Sequence, residues 1–335
     1  MQIDGLTKRF SARPKLTEIL RAARRSATTV VDHVSFDVRV GEIVGVLGPN
    51  GAGKTTIFKM LSTMVLPDDG TASVCGNDIW LEPGRVRAAL AAVSSDERSL
   101  NWRLSARENL RLFAVLHRVE ARAVEQRVTS LLEQVGLAMT GTKMVGSFSS
   151  GMRQRLLIAR ALLSQPSVLL LDEPTRALDP ISAQEFRVFL RKELIERQRA
   201  TILLATHNAE EALGFCDRVI VLDRGRVLAV GTAAELKARF AEERYRLVVR
   251  DPQHPCFDWL ETTGLLRRLS ASVDVSGGWS QVDCAIAADP ADTARVVRLL
   301  LDNGVDVARL ERVEPSLADL IGRIIGAQMM VPANA

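Results

Sequence analysis

Nine residues constrain this chain more than any others: Gly48-Pro49-Asn50-Gly51-Ala52-Gly53-Lys54-Thr55-Thr56. They form a G-x-x-x-x-G-K-T phosphate loop. An apolar run, Glu42-Ile43-Val44-Gly45-Val46-Leu47, precedes it, and a helix-like segment from Thr55 to Met64 follows. A strand, a glycine-rich loop and a helix in that order are what such a loop needs to work. Glycine lets backbone N–H groups close around phosphate oxygens without Cβ clashes. The helix N-terminus adds unpaired donors and the positive end of its dipole. Lys54 brings a point charge to the β- and γ-phosphates, and Thr55 brings a hydroxyl to Mg²⁺.

Other apolar runs repeat the theme. Ser167–Leu171 ends in Asp172-Glu173, Thr201–Ala205 ends in Thr206-His207, and Val219–Leu222 is a third run. Continuous apolar runs mark strands buried on both faces, as in a parallel sheet. Helical patterns lie between them at Ala106–Leu116, Val124–Val135, Met152–Leu163 and Ile181–Arg199. Asp179-Pro180 starts the last of these, with Pro at the first helical position. The alternation predicts a doubly wound α/β core, in which ligands sit beyond the carboxyl ends of the strands. The phosphate loop, Asp172-Glu173 and His207 all fall at such ends. Residues 34–47 read as two strands joined at Val40-Gly41.

The pattern changes near residue 240. Arg246–Val249, Leu266–Val275, Gln281–Ala287 and Val305–Val313 are strand-like, and Asp292–Leu301 and Pro315–Ile325 are helical. This predicts two domains, 1–238 and a small α+β domain at 239–335, the second without a nucleotide or metal motif.

At 47% hydrophobic and 25% charged, with net charge +4, the composition is that of a folded globular chain and does not argue for nucleic acid as a main partner. Four cysteines without C-x-x-C spacing suit a reducing cytosol and argue against a zinc site. The N-terminus carries no signal-peptide pattern, and no apolar run approaches the ~20 residues that span a bilayer. If the protein serves a membrane, another chain does the spanning.

Within the acidic segment, Asp172 suits Mg²⁺ and Glu173 suits polarisation of an attacking water. Upstream lies Phe148-Ser149-Ser150-Gly151-Met152-Arg153-Gln154-Arg155. With this segment the chain resembles, over roughly residues 1–238, the nucleotide-binding subunits of ATP-binding cassette transporters. That family carries a signature close to L-S-G-G-Q between the phosphate loop and the acidic strand. The resemblance implies a phosphate-loop NTPase core with an antiparallel β subdomain and a helical subdomain at about 97–160. It implies ATP and Mg²⁺ as ligands, and a second nucleotide-binding subunit, in the simplest case an identical one. It also implies an integral membrane permease and a peripheral place on the cytoplasmic face of the membrane. Ser149, Ser150, Gly151 and Met152 would meet ATP held by the partner subunit. Asp179 matches the loop by which subunits touch each other's sites, His207 the switch histidine at the γ-phosphate, and Phe10 an aromatic stacked on adenine. The order of motifs and the trailing small domain look most like type-2 exporters.

Two departures stand out. Where the family has a glutamine near Mg²⁺ and the attacking water, this chain has Asp96, a hard oxygen donor that would add negative charge beside the γ-phosphate. About twenty residues, 11–29, are inserted after Phe10. There Leu16, Ile19, Leu20 and Ala23 repeat at helical spacing beside Lys15, Arg21, Arg24 and Arg25. A basic amphipathic helix of this kind lies on an anionic membrane or a partner, or is a solvated surface helix. The region Asp96–Arg107, with Leu100, Trp102 and Arg103 as exposed candidates, would dock the permease. Two alternatives stay open: a soluble cassette ATPase acting on ribosomes or DNA, and a binding module without turnover.

Overall fold

The computed structural model describes residues 1–11, 27–94, 99–240, 243–270, 272–286, 290–313 and 317–329 of the chain. They divide into two compact units, Met1–Ala234 with Ile324–Ala335, and Glu235–Arg323.

In the first unit β1 (Gln2–Ser11), β2 (Ala27–Asp37) and β3 (Ile43–Leu47) are followed by β4 (Asp69–Val74), β5 (Asn77–Asp78) and β6 (Leu90–Ser94). Then come β7 (Val168–Asp172), β8 (Thr201–Thr206), β9 (Arg218–Asp223) and β10 (Arg226–Gly231). Six of these make one sheet in the order β10-β9-β3-β8-β7-β6, parallel except for the antiparallel β9–β10 edge. Its central strands are apolar throughout because both faces are covered: every residue of β3 and β8 is buried. The other four form an antiparallel sheet, β2-β1-β4-β5.

The segment 34–47 holds the two expected strands joined at Val40-Gly41, but they do not pair with each other. Burial alternates along β2, as in a strand with one wet face, whereas β3 is wholly buried, and the two strands belong to different sheets. Ala27–Thr29 of the insertion extend β2, and Ser11 pairs with Ala27, so the insertion leaves and re-enters at one point of a hairpin. The helix expected at Pro14–Arg25 lies outside the described residues.

Helices Ala106–Leu116, Val124–Gln134 and Ser150–Ala161 carry the segment between β6 and β7. Ser105 and Glu108 close a capping box at the first of them, which satisfies two orphan N–H groups. The buried Asn109 amide donates to the carbonyls of Asn101 and Ser105 and accepts from the Asn101 N–H, which fixes the approach loop. That loop corrects one expectation. Leu100 is buried, 4% exposed, because it turns into the apolar interior, while Trp102 and Arg103 remain exposed. The reading Ile181–Arg199 as one helix also changes. Helix Pro180–Phe189 widens into π-helical turns at Leu190–Glu196.

In the second unit β11 (Arg244–Val249), β12 (Leu266–Arg268), β13 (Val273–Ser276), β14 (Trp279–Ile286) and β15 (Val307–Val313) form one antiparallel sheet, ordered β12-β14-β11-β15, with β13 also on β14. Helices Pro255–Thr262 and Pro290–Asp302 follow β11 and β14. This is a split β-α-β arrangement. Tyr245, Leu247 and Val249 alternate into its core with Phe257, Leu260, Val282, Cys284, Val296 and Leu300. The run Leu266–Val275 breaks into two strands because the chain from Arg268 to Val273 is longer than the stretch of β14 beside it.

Candidate functional site

The phosphate loop begins where β3 ends. Leu47 pairs with Thr206 at the end of β8, and Asp172 at the end of β7 pairs with Ala205. Register alone thus brings the loop, the acidic pair and His207 to one end of the sheet, where open α/β sheets hold ligands.

The loop is shaped by close approach. A Cβ on Gly48 would meet the Leu222 carbonyl oxygen at 2.2 Å, and one on Gly53 would meet the Val30 carbonyl at 2.7 Å. Gly53, at φ 104°, is the residue from which helix Lys54–Leu61 starts. Around the loop a cleft of ≈ 270 Å³ is lined by Val30, Asn50, Gly51, Ala52, Gly53, Lys54, Thr55, Thr56, Asp172, Glu173 and Arg176. Lys54 is buried and donates to the carbonyls of Gly48, 2.6 Å, and Pro49, 3.1 Å. Burial lowers its pKa, against the opposing pull of Glu173 and Asp172.

Thr55 Oγ1 donates to Asp172 Oδ2 at 2.8 Å. Burial raises the Asp172 carboxyl, the Thr55 hydrogen bond opposes this, and Glu173 adds to the rise. Two hard oxygen donors therefore meet in a cleft whose lining pairs the carboxylates of Asp172 and Glu173 with the cations of Lys54 and Arg176. That fits Mg²⁺, which takes one or two protein oxygens and completes its shell with phosphate and water. Among the described residues no three His, Cys, Asp or Glu side chains cluster to form a cage that would hold a metal without the phosphates.

Glu173 has φ 50°, in the left-handed region that a non-glycine residue seldom adopts. Its N–H donates to the Ala205 carbonyl at 2.9 Å. Oε1 lies 2.9 Å from His207 Nδ1. Oε2 lies 3.2 Å from Arg176 Nη1 yet is buried and accepts no hydrogen bond from the described residues. A buried acceptor at the cleft wall is suited to a water. On its other side Glu173, with Arg176 and His207, borders a second cleft of ≈ 540 Å³.

Ser149–Met152, Asp179 and Phe10 do not line this cleft. Ser149 caps helix Ser150–Ala161, its Oγ accepting from the Met152 N–H at 3.2 Å, so Ser150, Gly151 and Met152 form the first turn of that helix. Asp179 caps the next helix, accepting from the N–H groups of Ile181 and Ser182, and the Ser182 side chain together with these N–H groups holds its carboxyl below the usual range. Phe10 is 43% exposed on β1, with Lys8 Nζ 5.6 Å from its ring centroid. Asp96 lies outside the described residues. Val30 and Arg176 were not singled out from sequence. Val30 carries no signal, but Arg176 stands three residues after Glu173 and could have been noted.

Residues 31–176 match the family described as ABC transporter. The daunorubicin resistance ATP-binding protein of Streptomyces coeruleorubidus is 35% identical over 339 residues, covering 99% of this chain and 98% of that one. A doxorubicin resistance ATP-binding protein of Mycobacterium tuberculosis is 42% identical over 221 residues, 66% of each chain. A Nod factor export ATP-binding protein of Neorhizobium galegae is 43% identical over 210 residues, 62% of this chain and 59% of that one. Among solved structures, a subunit of a Clostridium perfringens ABC transporter complex superposes with TM-score 0.61 at 25% identity, covering 71% of this chain and 90% of that one. A dimeric ATP-binding cassette bound to ADP and Pi superposes with TM-score 0.58 at 24% identity, over 69% of this chain and 98% of that one, a likeness of fold. With a phosphate loop, an acidic strand end and His207 brought to one end of the sheet, and a relative matched along nearly its whole length, the chain belongs to the ATP-binding cassette transporter family, as an ATP-binding ATPase subunit.

Proposed function

We propose that this chain drives a type-2 exporter by closing on ATP with a second nucleotide-binding subunit, the simplest arrangement being a homodimer. The observation that carries the reading is the convergence of Lys54, Thr55, Asp172, Glu173 and His207 at the ends of three adjacent strands. Lys54 and the loop N–H groups hold the β- and γ-phosphates. Thr55 and Asp172 hold Mg²⁺, which supplies charge neutralisation at the phosphates when bound. Glu173 accepts a proton from the attacking water, and His207 orients Glu173 and the γ-phosphate. Asp96 is assigned to the water-contacting position beside them.

Ser149–Met152 and Asp179 do not line the phosphate cleft of their own chain, which supports their use in trans on the partner's ATP. Phe10, exposed on β1, is the aromatic we assign to stacking on adenine. No helix among the described residues is long and apolar enough to cross a membrane, so an integral permease supplies the path. Trp102 and Arg103 are its contact on this chain, and the basic insertion is the peripheral contact with the cytoplasmic face of the membrane. The relatives' names, which concern daunorubicin resistance, doxorubicin resistance and Nod factor export, support export, with a drug or a polysaccharide or lipid as the substrate class. The test is size-exclusion chromatography of the Glu173→Gln chain with Mg-ATP. A nucleotide-dependent dimer is expected, and a strictly monomeric chain with and without its permease would overturn the sandwich.

A further inference from the structure

Glu211 is 5% exposed, yet it is not part of the cleft that holds phosphate. Its Oε1 accepts from the Thr175 hydroxyl at 2.6 Å, and its Oε2 accepts from the Thr206 hydroxyl at 2.6 Å. Thr206 Oγ1 in turn accepts from the Asn208 N–H at 3.0 Å, and the Asn208 side chain accepts from the N–H groups of Glu210 and Glu211. Thr175 lies two residues after Glu173, and Thr206 immediately before His207. Two strand ends are thus tied twice: directly by Glu173–His207, and behind it by Thr175–Glu211–Thr206.

We propose that Glu211 is a positioning residue for hydrolysis, holding the backbone on either side of the Glu173–His207 pair in one fixed unit. A carboxylate suits the place because it is acceptor-only and both of its oxygens face hydroxyl donors. An amide there turns one acceptor into a donor, so one hydroxyl must reverse. Thr206 has little freedom to do so, since its oxygen already serves Asn208. A displacement of even about 1 Å at a catalytic pair is enough to cost on the order of a hundredfold in rate. The proposal rests on the assignment of Glu173 and His207 to the hydrolytic step.

The experiment compares full-length wild type with Glu211→Gln, Thr206→Ser, Thr175→Val and His207→Ala, and with Glu211→Gln combined with His207→Ala. Steady-state and single-turnover hydrolysis of Mg-ATP are measured beside equilibrium binding of labelled ATP. Glu211→Gln is expected to lower kcat about tenfold and to leave ATP affinity within about twofold, because the phosphate loop is untouched. Thr206→Ser, which keeps the hydroxyl, is expected to stay within about twofold of wild type. On the His207→Ala background Glu211→Gln is expected to add less than about twofold, as it should if it acts through that histidine. A wild-type kcat in Glu211→Gln overturns the proposal, as does an undiminished tenfold effect on the His207→Ala background. Should Glu211→Gln not fold, Thr175→Val must show the same loss of kcat at unchanged affinity, and failure to do so is equally decisive. A His207→Ala chain with full turnover would instead remove the assignment of the histidine itself, and the proposal with it.

Discussion

His207 Nδ1 stands 2.9 Å from Glu173 Oε1 across two adjacent strand ends, while the other Glu173 oxygen, 3.2 Å from Arg176 Nη1, is buried and accepts no hydrogen bond from the described residues. One oxygen is thereby oriented and the other left for a water. Glu173→Gln keeps the shape and removes the basicity. Turnover should fall about a hundredfold or more, the usual span for loss of a general base. ATP binding should persist. Multiple-turnover assays beside filter binding check both, and near-normal turnover would take Glu173 out of the proton-accepting role.

Lys54 bears on the ground state instead. Its ammonium is buried against the Gly48 and Pro49 carbonyls and lies in the field of Asp172 and Glu173. Lys54→Ala should weaken ATP affinity by about 10- to 100-fold, the span expected when a charge-assisted contact is lost. Isothermal titration with a non-hydrolysable analogue reads this directly, and an unchanged Kd would contradict it.

Gly48→Ala tests the packing of the loop. The added Cβ would sit 2.2 Å from a backbone oxygen of Leu222, which no side-chain rotation relieves. The loop must shift, and ATP affinity should drop at least about tenfold, with a lower melting temperature. Gly51→Ala offers a contrast, because nothing lies within 4 Å of its Cβ position and only its φ of 85° opposes the change.

A pH dependence follows from Asp172. Its folded-state pKa is raised by burial, so between the unfolded value and the raised one the native state binds more protons than the unfolded state. The nucleotide-free protein therefore loses stability as pH rises through that window, and the loss is complete above it. Asp172→Asn should raise the melting temperature of the nucleotide-free chain at neutral pH. It should also abolish the Mg²⁺-dependent part of ATP affinity, which in the wild type weakens as pH falls toward the raised pKa. A melting temperature unchanged by the substitution would show that the carboxylate carries no such burden.

The insertion closes on itself at the Ser11–Ala27 pair, away from the phosphate loop in the chain. Deleting Pro14–Arg25 should leave ATP binding intact and reduce permease-stimulated ATPase in anionic vesicles. Reversing charge at Arg21, Arg24 and Arg25 should have a milder effect that fades with salt, since exposed charges are screened over about 8–10 Å. Equal stimulation in wild type and deletion would make the insertion a passive surface feature.

The phosphate loop and the Asp172-Glu173 pair were legible in the sequence because their chemistry is local, whereas Val30 and Arg176, which complete the cleft, were not. A loop must have Gly48 and Gly53 where backbone passes close to backbone, and a strand buried on both faces must be apolar until it ends in Asp172. The helix start at Asp179 is local in the same way, since a cap needs only its own next three residues, and Ser105 and Ser149 cap their helices by the same chemistry although the sequence reading named no cap there.

The tertiary structure decided what depends on pairing between distant segments. Sequence parted β2 from β3 at Val40-Gly41 but could not assign them to different sheets, because which sheet a strand joins is set by its neighbours and not by its own propensity. It could not bury Leu100 while exposing Trp102, nor break Leu266–Val275 into two strands, since both follow from the chain packed alongside. Glu211 is the clearest case. In sequence it is one acid in the first turn of a short helix. Only the register of β7 on β8 sets Thr175 and Thr206 on either side of it and turns a surface-type residue into a buried tie behind the Glu173–His207 pair.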